Sequence, residues 1–270
     1  MLALMTARQQ PPAFARMAAD PLRWQLLTEL GRTDRRVREL VALAAQPQSL
    51  VSYHLHQLRR SGLVTARRSS LDGRDVYYHL DLAACAGSLA EAGTALHPGL
   101  APAAPAGVRP AGPGPRGRPA LLFLCTGNSA RSQIAEALAR KRSRGRVRAW
   151  SAGSNPKPVH PNTARAMARY GIDAAGWQSK HFAEFTTRRF DAVITLCDKV
   201  REVCPLFPGN PRYIHWSIPD PAAAGSSDDA TLPAFHATAA DISTRIGYLL
   251  AAISTPPGQT AETDSLPTPT

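Results

Sequence analysis

The chain has 270 residues, 44% of them apolar, and 32 lysines and arginines against 20 acids give it a net charge of +12. That length suits one large domain or two small ones able to bury a core, and no run approaches the roughly 18 consecutive apolar residues of a membrane span. Four cysteines are too few for a disulfide scaffold, so the expected setting is a reducing cytoplasm, where suggestively spaced thiols serve catalysis, redox exchange or metal binding.

The opening "MLALMTARQQPPAFAR" lacks the apolar core and small-residue cleavage site of a signal peptide. Residues 1–95 carry 12 arginines against 8 acids, and residues 119–255 carry 17 basic against 10 acidic residues. The positive excess is therefore spread along the chain, which fits an anionic partner without saying which one.

Residues 1–95 read as helices followed by one hairpin. "DPLRWQLLTEL" has Asp20 as an N-cap, Pro21 at the first helical position and Gly31 at its end. "DRRVRELVALA" predicts a second helix with Val37, Leu40, Val41 and Ala44 inward. "QPQSLVSYHLHQLRRSG" predicts a third, burying Leu50, Val51, His54 or Leu55, and Leu58, with Gly62 closing it. "LVTARRSSLDGRDVYYHLDL" shows two β-rich runs around a D-G turn.

Two helices, a longer third helix and a hairpin compose a winged helix-turn-helix, whose third helix enters the major groove. Gln48, Ser49, Ser52, Tyr53 and Gln57 fall mainly opposite the leucines, where polar side chains reach base edges. Arg59, Arg60, Arg67, Arg68 and Arg74 lie at the helix end and in the wing, where phosphates are met. The combination "SYHLHQLRRSGLV" and "DGRDVYYHL" resembles the ArsR/SmtB-type winged-helix repressors over residues 17–95. The resemblance implies a homodimer formed through this domain and bound to a DNA operator. Members of that family often sense metalloids through clustered cysteines, but "VRELVALAA" has none. The lone Cys85 cannot form a three-sulfur arsenite site and reads as a small buried hydrophobe.

Residues 96–118, "HPGLAPAAPAGVRPAGPGPRGRP", predict a semi-extended linker, because proline removes backbone donors and almost nothing there can pack. Residues 119–255 alternate instead. Short apolar runs "ALLFL", "VRAWSAG" and "DAVITLC" interleave with helical "RSQIAEALARKR", "PNTARAMARYG" and "FHATAADISTRIGYLLAAI". Such βαβ units predict an α/β domain with a parallel sheet and a ligand at the strands' C-terminal ends. The tail 256–270 reads as disordered.

Within that domain, Cys125 to Ser132 is a Cys-x5-Arg loop between a strand and a helix. The backbone N–H groups of Thr126, Gly127, Asn128, Ser129, Ala130, Arg131 and Ser132 are spaced to wrap a tetrahedral oxyanion at a helix N-terminus. Arg131 adds a planar fork for two oxygens. The same field favours the Cys125 thiolate, and Ser132 is placed to donate to it.

The segments "CTGNSARSQIAEA", "SAG" at 151–153, "NTARAMARYGID", "VITLCDKVREVCP" and "HWSIPDPA" resemble the low-molecular-weight protein tyrosine phosphatase fold, and within it the thioredoxin-coupled arsenate reductases. That implies a four-stranded parallel sheet. Phosphatases of this type usually continue the loop arginine with Ser-Pro, whereas Arg131-Ser132 is followed here by Gln133, as in the reductases. Cys197 and Cys204 stand seven apart after the strand "AVIT", and the stretch "DKVREV" between them reads as a short helix whose unwinding brings the two together. Zinc would require four ligands and tighter spacing, so no metal is expected.

The resemblance implies a relay with no bound cofactor, in which Cys125 attacks arsenate, Cys197 takes over the bond to Cys125 as arsenite leaves, and Cys204 carries the disulfide outward to thioredoxin. It also implies Asp220 as the acid of an Asp-Pro pair. Some members bind potassium beside the loop. Asn128, Glu136 and Ser151 match three of those ligands, but Lys180 stands where the fourth is expected, so its ammonium is predicted to replace the cation. Three readings stay open: a regulator fused to an arsenate reductase, a phosphatase with a regulatory cysteine pair, and a repressor whose second domain only senses oxyanion or redox state.

Overall fold

The computed structural model describes residues 11–71, 73–97, 100 and 117–254, so most of the predicted linker and all of the predicted 256–270 tail lie outside the described residues. The N-terminal part contains α1 (Ala13–Ala18), α2 (Pro21–Leu30), β1 (Arg35–Arg36), α3 (Val37–Ala44), α4 (Gln48–Arg60), β2 (Val64–Arg68), β3 (Val76–Leu80) and α5 (Leu82–Leu96). Asp20 caps α2 by accepting from the Arg23 amide at 2.9 Å, with Pro21 at the first helical position. Leu26, Leu27, Leu30, Leu40, Val51, Leu55 and Leu58 close one small core. Both α1 and α5 escape the periodicity reading. The first is only six residues long, too short to show a period, and the second is so rich in alanine that no polar face contrasts with an apolar one.

Two local predictions are corrected. The second helix starts at Val37, because Arg35 and Arg36 pair with Tyr78 and Tyr77 as a short strand. Leu50 is 39% exposed, since Val51, His54, Leu55 and Leu58 already complete the buried stripe of α4. The hairpin strands close where Arg68 faces Val76, and the predicted D-G turn lies partly outside the described residues, at position 72. Next to that closure the Ser69 amide donates to the Asp75 carbonyl at 2.8 Å, and Gly73 takes a positive φ of 70°.

The C-terminal part contains β4 (Ala120–Cys125), α6 (Arg131–Ser143), β5 (Arg148–Gly153), α7 (Pro161–Ala168), β6 (Ala192–Thr195), α8 (Asp198–Glu202), β7 (Arg212–His215) and α9 (Asp228–Ser254). Its four strands run parallel in the order β5-β4-β6-β7. All six residues of β4 are buried, as expected for a central strand covered on both faces. The order puts the ends of β4 and β6 side by side, so whatever follows Cys125 and Thr195 meets at one edge.

The two parts touch. β7 is an edge strand, and its His215 backbone is satisfied from the N-terminal part. The Asp34 amide donates to the His215 carbonyl at 2.9 Å, and the His215 amide donates to Thr33 Oγ1 at 2.8 Å. This covers an edge that would otherwise offer unpaired backbone groups. Asp34, buried, accepts from the Ser217 amide at 2.7 Å and from Arg245 of α9 at 3.1 and 3.2 Å.

Candidate active site

The loop after β4 turns because its carbonyls are held from outside. Those of Thr126 and Gly127 accept from the Asn155 and Lys157 amides, both at 2.9 Å, that of Asn128 from Ser179 Oγ at 2.8 Å, and that of Ser129 from the His160 amide at 3.0 Å. In a trans peptide the N–H points opposite its C=O. The amides of residues 127 to 130 therefore face away from those partners, toward the centre of the loop. Asn128, fully buried, takes the left-handed conformation at φ 46° and braces the turn. Its Nδ2 donates to Ser132 Oγ at 2.8 Å, and its Oδ1 accepts from the Lys180 amide at 2.8 Å. The residue with positive φ is thus Asn128 rather than Gly127.

Gly153 belongs to the same construction. A Cβ there would stand 2.5 Å from the Thr126 carbonyl oxygen and 2.9 Å from the Asn128 nitrogen, so the loop packs onto bare backbone at the end of β5.

Inside the ring, Cys125 Sγ lies 3.0 Å from Ser132 Oγ, and Cys125 itself is buried. Arg131 is only 6% exposed. One terminal nitrogen of its guanidinium donates to the Ile218 carbonyl at 2.9 Å, and the other faces Asp220 Oδ2 at 3.2 Å. Its Nε is buried with no protein partner, an arrangement that suits a guest anion. Asp220 is half exposed and caps the turn Pro221–Ala224, so its carboxyl sits beside the fork of Arg131 at the mouth of the loop.

β6 delivers the second thiol. The Leu196 amide donates to the Leu124 carbonyl at 2.7 Å, and Cys197 Sγ comes 3.3 Å from Thr126 Oγ1. Cys204 follows α8 and is half-buried. Burial pushes its thiol up to about 11. It borders a cavity of about 300 Å³ between the two parts, with Thr33 and Arg35 on one side and Arg201, Leu206 and Tyr213 on the other. All four cysteines are free thiols, and burial likewise raises Cys85 to about 11, in keeping with its packing role.

Three further residues join this site: Asp198 and Ser217, left unassigned from the sequence, and His215, which reads from the sequence as a packing or capping histidine. The Asp198 carboxylate accepts from Ser217 Oγ at 2.5 Å and from the Ser70 amide at 2.7 Å, and its Oδ1 lies 3.1 Å from His215 Nε2. Burial alone would raise its pKa, but these hydrogen bonds overcome that and hold it far below the usual carboxylate range. Burial also lowers His215. The available signal was the aspartate directly after Cys197 at a helix start. His160, by contrast, caps α7 through its Nδ1, 3.2 Å from the Asn162 amide.

Beneath the loop, Ser151 Oγ donates to Glu136 Oε2 at 2.6 Å, and Lys180 Nζ stands 3.7 Å from the same oxygen.

On the N-terminal part, Gln48, Ser49, Tyr53, Arg59 and Arg60 of α4 are exposed, Ser52 and Gln57 half-exposed, and Arg68 and Arg74 exposed on the hairpin. Arg67 is the exception. It turns toward the C-terminal part and donates to Ser217 Oγ, with Asp198 Oδ1 at 4.0 Å, so in this arrangement it is withdrawn from any phosphate contact.

Residues 120–256 match the family profile described as "Low molecular weight phosphotyrosine protein phosphatase", and residues 20–66 match "Bacterial regulatory protein, arsR family". The "Arsenate reductase" of Halalkalibacterium halodurans is 36% identical over 126 residues, which is 47% of this chain and 91% of that protein. That of Brevibacillus brevis is 39% identical over 102 residues, 38% of this chain and 76% of its own length. That of Bacillus subtilis is 32% identical over 126 residues, again 47% and 91%.

Proposed function

Through residues 120–256 the chain belongs to the low molecular weight phosphotyrosine protein phosphatase family, and we propose that it is an arsenate reductase joined to a DNA-binding regulator, reducing arsenate by a Cys125–Cys197–Cys204 relay. The observation that carries the reading is the approach of Cys197 to the loop, with its Sγ 3.3 Å from Thr126 Oγ1. A hydrolase of phosphate esters needs the loop cysteine, the arginine and an acid; it has no use for a second thiol at that edge.

The steps balance as two electrons passed from two thiols to arsenic. Arsenate docks on the inward amides and the Arg131 fork, with Thr126, Gly127, Asn128, Ser129, Ala130, Arg131 and Ser132 supplying donors. Cys125 attacks arsenic, and one arsenate oxygen leaves as water with a proton from Asp220. Cys197 then attacks Cys125 Sγ. The sulfur–arsenic bond breaks with its electron pair kept on arsenic, arsenite departs, and a Cys125–Cys197 disulfide remains. Cys204 attacks Cys197, Cys125 leaves as thiolate, and the disulfide moves to 197–204. A dithiol reductant, thioredoxin in this reading, restores the resting enzyme.

Unwinding α8 matters twice for the last transfer. It closes the gap between the two sulfurs, and it takes Cys204 out of the buried setting that holds its thiol near 11. The N-terminal part acts as the operator-binding module of the same protein, with α4 as the helix for the major groove. Leu89 and Leu96, 54% and 78% exposed on α5, offer apolar surface that a second copy would cover in a homodimer. Thiol chemistry of this kind suits the cytoplasm.

The test is thioredoxin oxidation driven by arsenate, followed by loss of NADPH through thioredoxin reductase. Cys197→Ser is expected to abolish turnover while leaving a single stoichiometric reaction at Cys125. A variant that still turns over arsenate, or a wild type that hydrolyses an aryl phosphate and ignores arsenate, would return the chain to the phosphatase reading.

A further inference from the structure

α8 is five residues long, too short to be stable by itself, and three of its side chains are gripped by the N-terminal part. Asp198 Oδ2, at its first position, accepts from the amide and hydroxyl of Ser70 in the hairpin loop at 2.7 and 2.9 Å. Arg201 pairs with Glu39 of α3. Glu202 Oε1 accepts from Arg36 at 3.2 Å. Arg67, from the same hairpin, is tied to Ser217 beside them. The segment that has to unwind for Cys204 to reach Cys197 is thus the one that holds the hairpin, and the hairpin is the wing of the DNA-binding module.

We propose that α8 is a latch between the domains: formation of the Cys197–Cys204 disulfide unwinds it, releases Ser70, Glu39 and Arg36, draws Asp198 away from Arg67, and frees the wing for DNA. The inference rests on the relay proposed above. No new oxidant is needed, because arsenate takes two electrons from Cys125 and Cys197, and the transfer to Cys204 exchanges one S–S bond for another. Since the latched and open states differ in both redox partner and DNA contact, each equilibrium biases the other by one shared factor. The direction follows from the latched geometry, in which Ser70 and the Arg67 guanidinium are turned onto the second domain. A duplex lying along α4 finds them only after release.

The experiment uses the full chain, fully reduced, mixed with one equivalent of arsenate and no thiol reductant, then quenched by alkylation. Peptide mass mapping reads the disulfide, hydrogen exchange reads residues 66–71 and 198–202, and a gel shift on duplex DNA from the upstream region reads affinity. Expected are a 197–204 disulfide, about tenfold faster exchange in both segments, and DNA binding tighter by about fivefold or more. Cys204→Ser should stop at Cys125–Cys197 and keep both segments protected. In a glutathione buffer, Ser70→Ala with Glu39→Ala should shift the 197–204 equilibrium toward disulfide by at least fivefold. If the 197–204 disulfide forms and residues 66–71 exchange as before, the latch is wrong and the relay stands. If no 197–204 disulfide appears after arsenate, the relay falls and the latch with it.

Discussion

Arg131 is almost sealed from solvent, yet one guanidinium nitrogen has no protein partner, and an orphaned buried donor costs about 1–3 kcal/mol unless something fills it. An oxyanion in the loop removes that cost, and only a planar fork reaches Ile218, Asp220 and the guest together. Arg131→Lys is therefore expected to lower kcat/KM for arsenate by about 100- to 1,000-fold, with an unchanged circular dichroism spectrum. Lys180 is the second test at this scale. Its ammonium already stands 3.7 Å from Glu136, where related enzymes are expected to hold potassium. Replacing sodium by potassium at constant ionic strength should leave the initial rate within error. A clear potassium activation would show that the lysine does not do the work of the cation. Both residues were legible in the sequence, and the resemblance named Asp220 and Glu136 for the same sites. The Ile218 carbonyl that holds one arm of Arg131 was not legible, because it reaches the guanidinium only through the fold.

Among the elements, α8 is the deciding one for the relay proposed above. Burial holds the Cys204 thiol near 11, so the wound segment supplies far less thiolate at neutral pH than the unwound one. The single-turnover rate of 197–204 disulfide formation should rise about tenfold per pH unit between 6.5 and 8.5, read by rapid-quench alkylation and peptide mass mapping. The sequence showed "DKVREV" as a short helix between two cysteines, and periodicity needs no more than that. It could not show α5, whose alanine-rich stretch has no contrast between faces, nor that Arg35 and Arg36 would leave the second helix to pair with Tyr78 and Tyr77.

For the whole molecule, the interface between the parts is the main new feature. Asp34 and Arg245 form a buried ion pair across it, and because Arg245 keeps Asp241 at 3.0 Å when Asp34 is removed, breaking the pair from that side costs less than the about 3–5 kcal/mol of a fully stranded charge. Asp34→Ala should split one calorimetric transition into two, with the C-terminal domain melting close to its temperature in isolation. A single transition at the wild-type temperature would mean the interface adds nothing to stability. The network around Asp198 resists pH on the acidic-group side. A carboxylate whose folded pKa lies below its unfolded 3.8 gives stability that is present above 3.8 and lost only as pH falls further. His215 behaves differently. Lowered by burial from its usual 6.5, it favours the fold while neutral and withdraws that support as pH falls below 6.5.

The chain alone determined the two modules, the strand–loop–helix that places Cys125 before Arg131, and the pair of later thiols, because these depend on spacing within one segment and on local backbone chemistry. Tertiary structure decided what lies beyond such spacing. It turned Arg67 from a surface cation into an interdomain contact, gave Asp198 its partners from Ser70, His215 and Ser217, and set the edge of β7 against Thr33 and Asp34. Those contacts join residues up to 182 positions apart, and no local pattern encodes which distant surfaces a folded sheet will bring together.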